Sequence, residues 1–306
     1  MKVIKAIKDI DIEYKTVITI GNFDGIHRGH KVLIEKTVDY AKEKGIKSAV
    51  FTFSNHPSNY FIHQKVKKIL DEKEKVKLIE ELGVDYLIDI PFDEDMTKIS
   101  AKDFVLDILK EKIHVEKIVV GHDFEFAKNK EGNAKSLKEM GLIYGFEVEI
   151  VKPIKINNIR VSSTYIRELI SSGRVDEIAD YLGKNYSIEG EIIHGKANGS
   201  KMGFPTANIK LKEGIIIPQS GIYATKVILD GKIYLGATNV GKNPTLNGKE
   251  ISIETNILDF NDNIYGKIVK VEFLEKIREE KKFNSLEELK NQIKVDTDFV
   301  RKKYIK

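Results

Sequence analysis

Cysteine and tryptophan are absent from the 306 residues, and proline occurs only six times. The missing thiols exclude disulfide frameworks, thiolate metal centres, cysteine nucleophiles and thiol redox chemistry, so any reaction has to be carried by oxygen and nitrogen groups. A dominant charge sign is lacking too. Against 51 Lys and Arg stand 47 Asp and Glu, a net +4 interspersed along the chain, which gives no electrostatic footprint for nucleic acid. No apolar run approaches the roughly 20 residues that span a bilayer. The opening MKVIKAIKDIDIEYK has no apolar core like that of a secretory signal. These absences lead to the expectation of a cytoplasmic protein that touches neither membrane nor nucleic acid. What is present, 41% hydrophobic and 32% charged residues, can bury real cores. At roughly 100–200 residues per domain, the length favours two domains.

From 17 to 151, short β-branched runs alternate with helical periodicity: VITI (17–20), KSAVFTF (47–53), VDYLIDI (84–90), KIVV (117–120) and FEVEIV (146–151). That alternation predicts five parallel strands covered on both faces by helices. Asp71 with Glu74 and Ser100 with Asp103 have the spacing of capping boxes, and Gly45 and Gly83 stand where helices end. A helical pair is expected over 163–182. Beyond Gly183 the segments are strand-like and separated by Gly, Asn and Pro, with Asp230-Gly231 as a hairpin turn, so an antiparallel β-barrel is expected. Ser285 and Glu288 open a final helix. The predicted domains are 1–182 and 183–306.

Three segments carry chemistry. TIGNFDGIHRGHKVLIEK runs strand, glycine-rich turn, helix, and sets His27 and His30 around Gly29 where a helix N-terminus attracts phosphate. Two imidazoles there add donors for charge developing on a phosphoryl group. VSSTYIRELI opens a helix with Ser162, Ser163 and Thr164 and carries Arg167 one turn in, a second phosphate candidate that by itself reads more simply as an ordinary cap beside a surface arginine. In HGKANGSKMGFPTANI, Gly195, Gly199 and Gly203 alternate with Lys196 and Lys201 as a candidate phosphate-covering loop. Thr206 and Asn208 then share one strand face, a hydroxyl and an amide oxygen suited to Mg²⁺. Neither GxxxxGK[ST] nor GxGxxG occurs, which disfavours P-loop and dinucleotide enzymes.

GNFDGIHRGH, FTFSNHP, VVGHDFEF and VSSTYIR, in this order, resemble the FMN adenylyltransferase module of prokaryotic bifunctional riboflavin kinase/FAD synthetase, while PTAN and its surroundings resemble riboflavin kinase. The resemblance implies an α/β Rossmann-like nucleotidyltransferase domain followed by an antiparallel β-barrel kinase domain with a C-terminal helix. It implies ATP, riboflavin, FMN and FAD as substrates and products, with Mg²⁺. It makes His27 and His30 catalytic residues acting on the ATP phosphates, puts Gly21, Phe23 and Gly29 against the nucleotide, and has Ser163, Thr164 and Arg167 hold the outer phosphates. Asn55, His56, Pro57, Asp123 and Phe124 would lie around flavin and nucleotide.

In the second half the resemblance assigns nucleotide contacts to Gly195, Lys201 and Gly203, and metal ligation to Thr206 and Asn208. Glu254 would be the catalytic carboxylate, and Arg278 and Phe283 would contact flavin. A lone strand glutamate is otherwise an ordinary solvated residue. The chain departs from the family pattern at Asn256, where His is frequent, at Lys242-Asn243-Pro244, where Arg commonly precedes Pro-Thr, and at Glu125 and Ala127, where relatives are more basic and glycine-rich. Two alternatives stay open: only one of the two activities retained, or a flavin- or RNA-binding regulator without turnover. The sequence is compatible with self-association.

Overall fold

The computed structural model describes residues 1–61, 65–194, 204–245 and 248–305, with the side chains of 242–245 and 248–250 left aside. The chain divides into two compact units, Met1–Ser163 and Thr164–Lys306.

In the first unit, six strands run in parallel: β1 (Lys2–Ile4), β2 (Thr16–Ile20), β3 (Lys47–Phe53), β4 (Tyr86–Ile90), β5 (Val115–Gly121) and β6 (Glu147–Val151), in the spatial order β1-β4-β3-β2-β5-β6. Five of these are the expected strands. The sixth, β1, is a three-residue edge strand whose lysine-flanked sequence carries too short an apolar pattern to announce itself. The central strands are buried over nearly their whole length, as a sheet covered on both faces requires.

The helices begin and end as their sequences dictate. Helix α1 (Arg28–Lys44) stops at Gly45, which takes the left-handed conformation at φ 65°. Helix α2 (Glu72–Glu81) is capped by Asp71, whose side chain accepts from the Glu74 N–H, and Gly83 follows it at φ 83°. Ser100 likewise caps the turn that begins at Ala101. Helix α3 (Ala134–Tyr144) is closed by a full capping box between Asn133 and Ser136.

The second unit takes in most of helix α4 (Ser163–Ser171), then helix α5 (Ile178–Leu182) and a closed antiparallel barrel. Its strands are β7 (Ser187–Ile193), β8 (Ala207–Ile209), β9 (Gly221–Leu229), β10 (Lys232–Thr245), β11 (Gly248–Ile257) and β12 (Ile268–Arg278), arranged β7-β8-β11-β10-β9-β12 with β12 returning to β7. The β9–β10 hairpin turns on Asp230 and Gly231, both at positive φ, as its sequence predicts.

Tyr223, Val227, Val271, Phe273 and Ile253 fill the barrel's inner side. A buried hydroxyl ladder also crosses it: Thr225 and Thr238 are 2.8 Å apart, as are Thr238 and Thr255, and Thr225 also donates to the Gly236 carbonyl. Helix α6 (Leu286–Tyr304), capped by Ser285, covers part of the outer side. There Val300 packs with Ala224 and Leu258.

Candidate functional site

Strand β2 lies between β3 and β5, so the chain leaves it to one side and reaches β5 on the other. Open α/β sheets bind ligands at the carboxyl end of a strand in that position. The segment that follows β2 is a tight turn with Phe23 at φ 47°, Gly25 at 93° and Ile26 at 45°. Positive φ at two non-glycine residues is costly, and burial of both side chains holds it in place. Asp24 adds a polar tie, its carboxylate accepting from the Ile69 N–H at 2.9 Å, while Ser163 Oγ donates to its carbonyl at 2.8 Å.

This turn delivers His27 as the N-cap of α1. The His30 N–H donates to His27 Nδ1 at 3.1 Å, so Nδ1 is an acceptor and the ring's proton belongs on Nε2. The two imidazoles stack with centroids 3.5 Å apart, and Phe23 meets His30 edge-on at 5.1 Å. Gly29 lets the rings pack closely: a Cβ there would stand 3.2 Å from the His27 ring, which would have to give by a few tenths of an ångström. Gly21 similarly lies against the Phe23 ring, 3.3 Å from where its Cβ would be. Four residues singled out in the sequence, Phe23, His27, Gly29 and His30, are thus brought together at one helix N-terminus, and Ser163 is tied to the same turn.

Beside them is a small open cleft lined in part by Asn22, Asp24, Asn55, His56, Lys68 and Lys75. Asn55 is locked by two bonds to the backbone of Phe92, and His56 Nδ1 accepts from the Ser58 N–H after Pro57. Lys68 and Lys75 are cleft residues that the sequence reading missed. Lys75 reads as a surface lysine of α2, yet it is buried, donating to Asp89 at 2.9 Å and to the Phe53 carbonyl at 2.9 Å. Burial pushes its ammonium pKa down against the opposing pull of Asp89.

Asp123 and Phe124 follow β5 and are not among the cleft's lining residues. Asp123 is ion-paired with Arg160. Burial works to raise its carboxyl, but the guanidinium outweighs it and holds the pKa below the ordinary range. Phe124 stacks on Phe126 at 5.4 Å. Thr164 and Arg167 fall in the second unit, exposed and half-buried respectively on α4.

In the barrel, Asn208 of β8 stands directly across the ladder from Glu254 of β11. Opposed residues of an antiparallel pair share a face at a Cβ separation of about 5 Å, so the amide and the carboxylate are neighbours. Their strand neighbours Ala207, Ile209, Ile253 and Thr255 are buried, whereas Asn208 and Glu254 are only partly so and project from the barrel's outer side. Thr206 immediately precedes β8, and Asn256 Nδ2 donates to the Pro205 carbonyl at 2.8 Å, which ties the PTAN segment to β11.

A hydroxyl, an amide oxygen and a carboxylate form the hard oxygen set that Mg²⁺ takes together with phosphate and water. Among the described residues no group of three His, Asp or Glu could bind a metal on its own. Arg278 is bidentate to Asp296 of α6, with Nε to Oδ1 at 2.9 Å and a terminal nitrogen to Oδ2 at 2.7 Å, and lies 5.9 Å from the Phe283 ring. Gly195, Lys201 and Gly203 lie outside the described residues.

A doubly wound parallel sheet with a histidine pair at its switch point, followed by a closed barrel with an amide–carboxylate pair on its outer side, defines a two-part group-transfer protein. The first part matches the FAD synthetase family over residues 9–165 and the second the riboflavin kinase family over 182–304. The chain belongs to the family of bifunctional riboflavin kinase/FMN adenylyltransferases. It is 35% identical to the protein of that name from Buchnera aphidicola, covering 99% of this chain and 98% of the relative, and 37% identical to that of Bacillus subtilis, covering 92% and 90%. A crystal structure described as a macrolide-efflux protein from Streptococcus pneumoniae superposes with a TM-score of 0.90 at 33% identity, over 98% of both chains. Among the described residues no helix is long and apolar enough to cross a membrane.

Proposed function

We propose that this chain converts riboflavin and ATP to FMN and ADP in its barrel, and FMN and a second ATP to FAD and pyrophosphate in its α/β domain. The observation that carries the reading is the register of Glu254 against Asn208. It sets a carboxylate beside the oxygen ligands that phosphoryl transfer requires, on an accessible barrel face.

In the first reaction the primary hydroxyl of riboflavin attacks the γ-phosphorus of ATP, and its proton passes to the Glu254 carboxylate as ADP leaves. Thr206 and Asn208 would hold Mg²⁺, which supplies charge neutralisation on the phosphates when bound. In the second, a phosphate oxygen of FMN attacks the α-phosphorus of ATP and pyrophosphate leaves. His27 Nε2–H and the α1 N-terminus donate to the phosphoryl oxygens as charge builds, with His30 supporting the ring of His27. No enzyme nucleophile is needed, in keeping with a chain free of cysteine.

The functional boundary is proposed at 182/183, supported by the start of the kinase family match at 182. A cytoplasmic setting with small-molecule partners and no nucleic acid completes the reading. The test is incubation of the pure protein with riboflavin and Mg-ATP, with the flavins separated chromatographically. FMN followed by FAD is expected; absence of both overturns the proposal.

A further inference from the structure

The row that holds Asn208 and Glu254 does not end there. Glu254 is opposed on its other side by Asn239 of β10, Asn239 by Ile222 of β9, and Ile222 by Arg278 of β12. Asn208, Glu254, Asn239, Ile222 and Arg278 therefore form one line across the outer side of the barrel, about 19 Å long at roughly 4.8 Å per strand. The metal-type ligands lie at one end and the pinned guanidinium at the other.

Asn239 Oδ1 is buried and has no hydrogen-bond partner among the described residues. Its Nδ2 points along the strand toward Gly241, 3.2 Å from where a Cβ would be, next to the carboxylate of Glu280. The amide thus turns its nitrogen toward Gly241 and leaves its oxygen to accept. A buried carbonyl oxygen lacking a donor is a standing cost, and such atoms point to a ligand that supplies one.

We propose that Asn239 is a substrate-positioning residue whose Oδ1 accepts a hydrogen bond from a secondary hydroxyl of the sugar-alcohol chain of riboflavin. This fixes that chain along the row so that its terminal hydroxyl meets Glu254. The proposal rests on the kinase reading of the barrel. It follows that the barrel recognises the polyol chain itself, and a flavin with a plain alkyl chain ending in one hydroxyl forfeits this contact.

The test compares riboflavin with a 10-(5-hydroxypentyl) flavin, which keeps the reacting hydroxyl and lacks the secondary ones, in wild type, Asn239→Ala and Asn239→Leu. Removal of one hydrogen bond is expected to lower kcat/KM for riboflavin about tenfold, with KM for ATP unchanged. The same variants should change kcat/KM for the hydroxypentyl flavin less than twofold. Equal losses on both substrates would assign Asn239 a purely structural role and overturn the proposal. FAD formation from supplied FMN by the same preparations checks that each variant is folded. A wild type that phosphorylates neither flavin refutes the kinase reading beneath, an outcome distinct from equal losses in the variants.

Discussion

The ring of His30 lies on the ring of His27, 3.5 Å between centroids and 17° from parallel, while the His30 backbone donates to His27 Nδ1. One residue therefore orients the other through both its backbone and its side chain, and the two play separable parts. His27→Ala removes a donor and a helix cap. It should abolish FAD formation from FMN and cost about 1 kcal/mol of stability. His27→Asn restores the cap and should recover the stability without the activity. His30→Ala should lower FAD formation at least about 100-fold. Thermal melting alongside an FMN-to-FAD assay separates the three, and full activity of His27→Asn would sink the role given to His27.

Glu254→Gln keeps the shape and loses the proton acceptor. FMN formation should fall by about 100- to 10,000-fold, while conversion of supplied FMN to FAD continues. Feeding riboflavin to one sample and FMN to another reads both. Loss of FAD formation as well would mean that the two units do not act independently.

Ala127 has its backbone at φ 66° and ψ −175°, a region that only glycine enters without strain. Ala127→Gly should therefore stabilise the first unit, by about 1 kcal/mol after the loss of one partly buried methyl. A lowered urea midpoint would contradict this.

Asp89 lies fully buried between Lys75 and Lys5, at 2.9 and 2.8 Å. Burial works to raise its carboxyl, but the two ammonium groups outweigh it and hold the pKa below the usual 3.8. With the native value below the unfolded one, the stabilisation is complete once the pH is well above 3.8 and is lost as the pH falls from there through the native value. Asp89→Asn should lower stability at neutral pH by about 3 kcal/mol, because Lys75 is left buried without its counter-ion. It should also flatten the acid limb of the stability curve. Urea midpoints from neutral pH down to about pH 3 would show both, and an unchanged acid limb would remove Asp89 from the account.

Much of this was legible along the chain because the signals are local. The β-branched run at 47–53, the caps at Asp71, Ser100 and Ser285, the stop at Gly45 and the Asp230-Gly231 turn each act within a few residues. His27, Gly29 and His30 are visible for the same reason, being adjacent and placed by one turn. The pairing of Lys75 with Asp89 was not, since it joins α2 to β4 and neither residue's neighbours in sequence announce it. Asn239 was hidden because its importance comes only from the partner across the ladder, fifteen residues away in sequence. Arg278 was read as a flavin contact, yet its pairing with Asp296 on α6 could not be foreseen from spacing.

The threonine ladder inside the barrel bears on the outside as well. Thr238 and Thr255 alternate with Asn239 and Glu254 along the same two strands, and side chains of a strand point to opposite faces in turn. Sliding β11 by one residue along β10 would swing the Glu254 carboxylate into the apolar interior and leave a threonine methyl on the outer face. The hydroxyl chain makes that slip cost several buried hydrogen bonds at once. Three inward-facing threonines thus act as alignment pins of the barrel, deciding on which side of the wall the Glu254 carboxylate stands.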